Sequence, residues 1–375
     1  MRQRRPGLAR PPAMTGTRPI ARKDEPMANK STVFFAALVT AGVGAAAGLA
    51  MFAWPAQAPA MPNVAEDTLC DGSAATPGTK EAPPGMVWIP GGDTRIGSDQ
   101  HYREEGPVTR VSVDGFWMDR TEVTNAQFRR FVEATGHVTE AERVVDGTGA
   151  GARRPSGSVV FVDPTSQAGG SDTWWRLVPE ANWRHPEGPG SDIGGRENHP
   201  VVHVTYNDAV AYARWLSREL PTEAQWEHAA RGGLDGAPYA WGGEFTPQGV
   251  AMANTWQGFF PIQNTRGDGY PATAPVGCFT ANGYGLRDMI GNVWEWTSDW
   301  YRPRHDGLGD VNPTGPRQED SYDPRQPGVP SRVIKGGSFL CAQNFCQRYR
   351  PASRHPQDVG LGASHLGFRT VLNTR

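Results

Sequence analysis

Leu220-Pro221-Thr222-Glu223-Ala224-Gln225-Trp226-Glu227 shows how this chain builds its interior. Thr222 stands ahead of a helical pattern that turns Trp226, Ala229 and Ala230 inward, and its hydroxyl can accept from the free N–H groups of the first turn. Upstream, Thr121-Glu122-Val123-Thr124-Asn125 predicts a helix capped by Thr124 or Asn125, with Phe128, Phe131 and Val132 as its apolar stripe. Asn207 or Asp208 is expected to cap another, carrying Ala211, Tyr212, Trp215 and Leu216. Met86-Val87-Trp88-Ile89-Pro90-Gly91-Gly92 reads as a short strand ending in a turn, and Val108 to Phe116 alternates as one half-buried strand does. Between these elements, Gly/Pro/Trp-rich segments over 174–195, 239–265 and 301–330 read as long ligand-bearing loops.

Composition agrees. The 375 residues are 38% hydrophobic, enough for a sizeable core, and 46 glycines, 33 prolines and 13 tryptophans favour a turn-rich body over long helices. A formal net charge of -2 provides no basic field for a polyphosphate, so no nucleic-acid partner is expected. Four cysteines in a chain of this length exclude a small disulfide-stapled scaffold.

Residues 1–30 carry eight Lys or Arg against Asp24 and Glu25, and residues 31–54 run without a charge for about the length that crosses a bilayer. That asymmetry predicts a cytoplasmic N-terminus, a membrane anchor or signal-peptide core over 31–54, and a periplasmic or otherwise extracytoplasmic body. Ala58-Pro59-Ala60 resembles a signal-peptidase site, so cleavage and retention both stand. The Pro/Ala/Gly-rich stretch 55–84 reads as a tether, and the folded domain is expected over 85–375.

Gly85-Met86-Val87-Trp88-Ile89-Pro90-Gly91-Gly92, His199-Pro200-Val201-Val202-His203-Val204, the Leu220 to Glu227 stretch and Gly291-Asn292-Val293-Trp294-Glu295-Trp296 together resemble the sulfatase-modifying-factor domain. Within that superfamily, Gly336-Gly337-Ser338-Phe339-Leu340-Cys341-Ala342-Gln343-Asn344-Phe345-Cys346-Gln347-Arg348-Tyr349-Arg350, followed by Leu366-Gly367-Phe368-Arg369, is similar to the active-site segment of formylglycine-generating enzymes. The resemblance implies a compact α+β fold, the mixed α/β sulfatase-modifying-factor (C-type-lectin-like) architecture with little regular secondary structure. It also implies an oxidase that uses O2 and an external reductant to convert the cysteine of a sulfatase C-x-P-x-R motif to formylglycine.

Cys341 and Cys346 are separated by four residues, which fits neither a zinc knuckle nor a thioredoxin-like C-x-x-C. Two thiolates without a histidine suit Cu(I). The resemblance implies the same: copper held by both sulfurs, with the substrate cysteine as a third and Ser338 lining the O2 side. A disulfide between the two is the structural alternative. Phe345 stands where many members carry Tyr and His365 where many carry Asn, so a donor is lost and a titratable group is gained beside the cysteines.

Two calcium sites are implied by resemblance, one from Asn254, Thr255, Asp268 and Tyr270, the other from Asp288, Gly291, Val293 and Glu295; oxygen donors on irregular loops suit Ca2+. Glu122 and Asp146 match family acids that hold the substrate arginine, though Glu122 could instead support its neighbouring helix N-terminus. His199 and His203 are expected to point into packing. A catalytically silent extracytoplasmic binding module of the same fold is the competing function, and dispensable cysteines would mark it.

Overall fold

Threonines start the three α-helices among the described residues. Thr124, Thr205 and Thr222 cap α1 (Asn125–Thr135), α2 (Tyr206–Trp215) and α3 (Glu223–Arg231), each accepting from the backbone N–H three residues on while that residue's side chain returns to the cap. For α1 and α3 the expected cap and inward residues agree with this. For α2 the cap is Thr205, and Asp208 is its reciprocal partner, with Oδ2 2.8 Å from Thr205 Oγ1. A helix beginning at Tyr206 leaves Trp215 half in solvent. Gly136 and Gly232 end α1 and α3 in the left-handed conformation that a Cβ disfavours.

The computed structural model describes Cys70 and residues 82–146, 153–154, 157–164 and 174–374. The expected basic segment, the apolar run 31–54 and most of the tether lie outside the described residues. Among the described residues, no helix is long and apolar enough to cross a membrane.

The strands are short. Before α1 come β1 (Met86–Ile89), β2 (Gly92–Ile96), β3 (Thr109–Val113) and β4 (Phe116–Asp119). Between α1 and α2 lie β5 (Val145–Asp146), β6 (Arg153–Arg154), β7 (Gly157–Phe161) and β8 (Trp175–Pro179). After α3 follow β9 (Trp294–Trp300), β10 (Ser331–Lys335), β11 (Arg354–Asp358), β12 (Leu366–Gly367) and β13 (Val371–Asn373). One sheet has the order β11-β10-β9-β12, with β12 parallel to β9, and a second has the order β1-β4-β13. The stretch Val108 to Phe116, expected as one strand, is two, broken at Asp114-Gly115; the Trp88 ring fills the space where a Cβ on Gly115 would sit.

The core is aromatic and ionic together. Trp183, Trp226, Trp296, Phe116, Phe128 and Phe368 are buried with Lys335, Glu223, Glu227 and Arg354. Lys335 Nζ lies 2.9 Å from Glu227 and 3.4 Å from Glu223, while Arg354 grips Glu223 through two bonds of 2.8 and 2.7 Å. Burial opposes ionisation of Glu223, but Arg354, Lys335 and His305 prevail and hold its carboxyl well below the usual range. This knot ties α3 to β10 and β11. Lys335→Met removes the cation between two buried carboxylates, and urea unfolding should show stability lowered by about 3–5 kcal/mol; an unchanged midpoint would refute this role.

Candidate active site

Gly336 and Gly337 leave β10 with φ of 97° and 77°, and a Cβ on Gly337 would meet the Arg348 carbonyl at 2.9 Å. Only glycine lets the chain enter the following turn there. Cys341 N then donates to Ser338 O (2.9 Å) and Cys346 N to Ala342 O (3.1 Å), which brings the two sulfurs to 2.7 Å. Asn344 binds both the N–H and the carbonyl of Phe260, and Trp256 N donates to Cys341 O, so the turn is fastened to the 256–263 loop.

The thiols are unequal. Cys341 is 1% exposed, whereas Cys346 is half-buried. Burial, then the neighbouring sulfur, pushes Cys341 well up; the hydrogen bond from Cys341 brings Cys346 down to about 7, helped by the Arg348 N–H and guanidinium. Ser338 is buried in the same turn, its Oγ accepting from Leu340 N at 3.3 Å. Among the described residues, no group of three or more His, Cys, Asp or Glu is arranged to hold a metal. Two facing sulfurs alone fit a soft, low-coordinate ion such as Cu(I).

Phe345 is 49% exposed and stacks on Phe260 at 4.4 Å beside Trp174. His365 packs edge-on against Trp175 at 4.6 Å. The titratable group expected there does not charge near neutrality, because burial, followed by His355 and His203, lowers His365 to about 3. His199 bonds Thr273 Oγ1 at 2.9 Å, and His203 is fully buried; burial lowers each to about 4.

Glu122 departs from its expected role. It is completely buried, its Oε1 accepts from Asn292 Nδ2 at 3.1 Å, and so it offers no carboxylate to a substrate arginine. Asp146 lies in β5, paired with Arg153 of β6, and its side chain is outside the described residues. Glu122 instead shares a buried acidic cluster with Asp288 and Glu295. Burial and then the Asp288 charge raise Glu122 well above the carboxylate range, and burial raises Asp288 to about 6.

In that cluster Asp288 Oδ1 and Glu122 Oε2 are buried without hydrogen-bond partners, but Glu295, the expected fourth ligand, binds Arg369 through both oxygens and Trp226 Nε1 besides. At the other expected calcium site, Asp268 accepts from Thr255 N (2.9 Å) and Tyr270 N (3.2 Å), and Asn254 Oδ1 is buried and unpartnered. Buried oxygens without hydrogen-bond partners on acidic loops fit a hard cation. The loops meet: Asn292 N donates to Asn254 O (2.9 Å), and Asn254 Nδ2 donates to Asn292 Oδ1 (3.1 Å).

Cys70, read from sequence as part of a tether, forms a disulfide with Cys278 across 208 residues, next to Tyr270, whose hydroxyl donates to Cys278 Sγ at 3.2 Å. Two leftover cysteines in a chain expected from its sequence to be exported were the available signal. Sequence reasoning also missed Arg348, which joins Cys346 to Glu104.

The sulfatase-modifying factor enzyme 1-like domain matches residues 73–374. The chain is 49% identical to the formylglycine-generating enzyme of Mycobacterium tuberculosis, over 77% of this chain and 97% of that protein. It is 46% identical to the mouse formylglycine-generating enzyme over 77% of this chain and 75% of that one. It is also 43% identical to the mouse inactive C-alpha-formylglycine-generating enzyme 2, over 76% of this chain and 86% of that protein. Among solved structures, PvdO from Pseudomonas aeruginosa superposes with a TM-score of 0.52 at 24% identity, covering 80% of this chain and 99% of that one, which shows a common fold.

The inequality of the thiols has a direct readout. In reduced, metal-free protein, iodoacetamide should modify Cys346 before Cys341, at a rate rising with pH through about 7 as the Cys346 thiolate forms. Peptide mapping that finds Cys341 modified first would contradict this order.

Proposed function

The chain belongs to the sulfatase-modifying factor family, and on that premise we propose that it is a copper-dependent oxidase converting the cysteine of sulfatase C-x-P-x-R motifs to Cα-formylglycine with O2. The observation that carries the proposal is the pair of thiols 2.7 Å apart, one sealed and one accessible. Cys341 and Cys346 would hold Cu(I), which supplies the activation of O2 that closed-shell thiols lack. Arg348 and the buried partner sulfur keep Cys346 near its thiolate form at neutral pH. Ser338, buried in the same turn, lines the O2 side. Phe345 and Phe260 give the substrate peptide an apolar wall, and Asp146 is the remaining acid for its arginine. O2 takes four electrons and the substrate yields two, so an external reductant provides the rest.

A reduced C-x-P-x-R peptide should acquire an aldehyde, with uptake of O2, only in the presence of copper. Cys341→Ser or Cys346→Ser should lower turnover by roughly a thousandfold or more, as loss of an essential group does, while Cys70→Ser and Cys278→Ser retain copper binding. Likeness to a protein described as inactive keeps the silent binding module as the second reading, and a copper-loaded parent that forms no aldehyde while both cysteines are dispensable to the fold would establish it.

The domain plan follows the same reading: a basic segment over 1–30, an anchor or signal core over 31–54, a tether over 55–84 and the catalytic domain over 85–375. The Cys70–Cys278 disulfide supports an oxidising, extracytoplasmic setting. Calcium would bind through Asn254 and Asp268 with the carbonyls of Thr255 and Tyr270, and through Asp288 with the carbonyls of Gly291 and Val293; Glu122, with an unpartnered oxygen, is freer to join there than Glu295, which Arg369 occupies. Chelation of calcium-loaded protein should lower Tm in proportion to the logarithm of calcium concentration over Kd. An unchanged Tm after verified calcium removal would count against both sites.

A further inference from the structure

Cys278 stands between the two candidate calcium loops, and the segment 277–279 touches both. On one side, the Tyr270 hydroxyl donates to Cys278 Sγ at 3.2 Å and lies 3.8 Å from Cys70 Sγ, while the Tyr270 ring packs edge-on against Phe279. Tyr270 N donates in turn to Asp268 Oδ1 at 3.2 Å, so the residue that would give its carbonyl to the first ion is held from positions 278 and 279. On the other side, Gly277 N donates to Asp288 Oδ2 at 2.5 Å, and Arg287 binds the carbonyls of Gly277 and Phe279 at 3.0 and 2.7 Å. Asp288 would be the side-chain ligand of the second ion. One three-residue segment therefore positions a ligand in each loop, and its middle residue is bonded to Cys70.

That bond fixes where the segment can sit. It holds Cys278 against a residue 208 positions away in sequence, and its reduction obliges the two sulfurs to retreat from bonding to contact distance. The retreat draws Cys278 from the Tyr270 hydroxyl and Gly277 N from Asp288, and calcium affinity follows the number and rigidity of the oxygens presented to the ion. We propose that the Cys70–Cys278 disulfide, acting through Tyr270 and Gly277, sets the calcium affinity of both loops, so that the chain takes up its ions at full strength only after this bond has closed.

Both sulfurs are half-buried, within reach of a disulfide-bearing oxidant. The thiolate of one cysteine attacks the oxidant's disulfide, whose second sulfur leaves as a thiolate. The other cysteine then attacks the mixed disulfide, closes the Cys70–Cys278 bond and releases the oxidant as a dithiol. Two electrons and two protons pass from the cysteines to the oxidant.

The inference rests on the calcium reading above, and its test keeps the two apart. Full-length, copper-free protein is equilibrated in dithiothreitol buffers of graded oxidised-to-reduced ratio, with saturating calcium or with chelator. After acid quenching and alkylation, peptide mapping follows Cys70 and Cys278 separately from Cys341 and Cys346. If the oxidised form binds calcium roughly tenfold more tightly overall, calcium should lower the midpoint potential of this couple by about 30 mV. Tyr270→Phe, which keeps both sulfurs and the carbonyl, should give a smaller shift. Calorimetry should find the Cys70→Ala/Cys278→Ala double variant roughly tenfold weaker for calcium than the oxidised parent. Equal midpoints with calcium and with chelator, in a parent that calorimetry shows to bind calcium, overturn the inference and leave the calcium reading intact. An undiminished shift in Tyr270→Phe overturns it too, and an oxidised parent that binds no calcium removes both.

Discussion

The buried pair between Arg369 and Glu295 is the constraint around which the rest is arranged. Each carboxylate oxygen of Glu295 takes a guanidinium bond of 2.7 Å, and Arg369 donates further to the carbonyls of Asp119, Arg120 and Arg287. Trp226 Nε1 adds a third donor to Glu295 from α3. A single interior cation therefore joins β9, the end of β4, the 287 loop and the C-terminal segment, while its acid reaches α3. Few other groups would satisfy so many chain segments at once in so little regular structure. A buried pair alone is weak evidence of stability, but a fully hydrogen-bonded one admits one arrangement of its neighbours. Removing either partner would strand the other among groups already short of compensation.

That shortage shapes the adjoining loops. Arg369 moderates both Glu122 and Asp288, Arg287 acts on Asp288 as well, and Arg369 is already gripped by Glu295. Three carboxylates gather around one guanidinium, and Glu122 Oε2 and Asp288 Oδ1 stay buried without hydrogen-bond partners. Near the sulfurs the problem is reversed. Arg348 lends positive charge to Cys346 while its own partner, Glu104, sits on the far side. The two halves of the site thus handle opposite electrostatic demands, and the Asn254–Asn292 contact and the 256–263 loop lie between them.

What could be read in the sequence follows how far each interaction reaches. The caps of α1 and α3 were legible because a threonine and the side chain three residues on make the whole motif. The start of α2 was placed late because Asn207 and Asp208 are good caps by type, while Asp208 is also claimed by Glu140 N and His137 from elsewhere in the fold. The break at Asp114-Gly115 depends on a tryptophan in β1, and no local pattern reveals it. Cys341 and Cys346 stood out because one turn contains both. The burial of Glu122 was not legible because the acids that surround it come from remote loops, and the Cys70–Cys278 bond was missed for the same reason. Overall architecture was legible through the shared motifs; burial of individual acids was not.

The mutual bonds between Asn254 and Asn292 carry a consequence for any ions held on either side. Each loop presents its amide to the other, and a Cβ on Gly291 would lie 2.3 Å from the Asn254 carbonyl, so neither backbone can shift without moving its neighbour. Cations on the two loops would therefore not bind independently. An ion that orders the first loop preorganises the second and removes part of the entropy its partner would otherwise have to overcome. By linkage the assistance is reciprocal, whichever ion arrives first. The pair of loops would fill cooperatively, as one switch with a threshold in ion concentration.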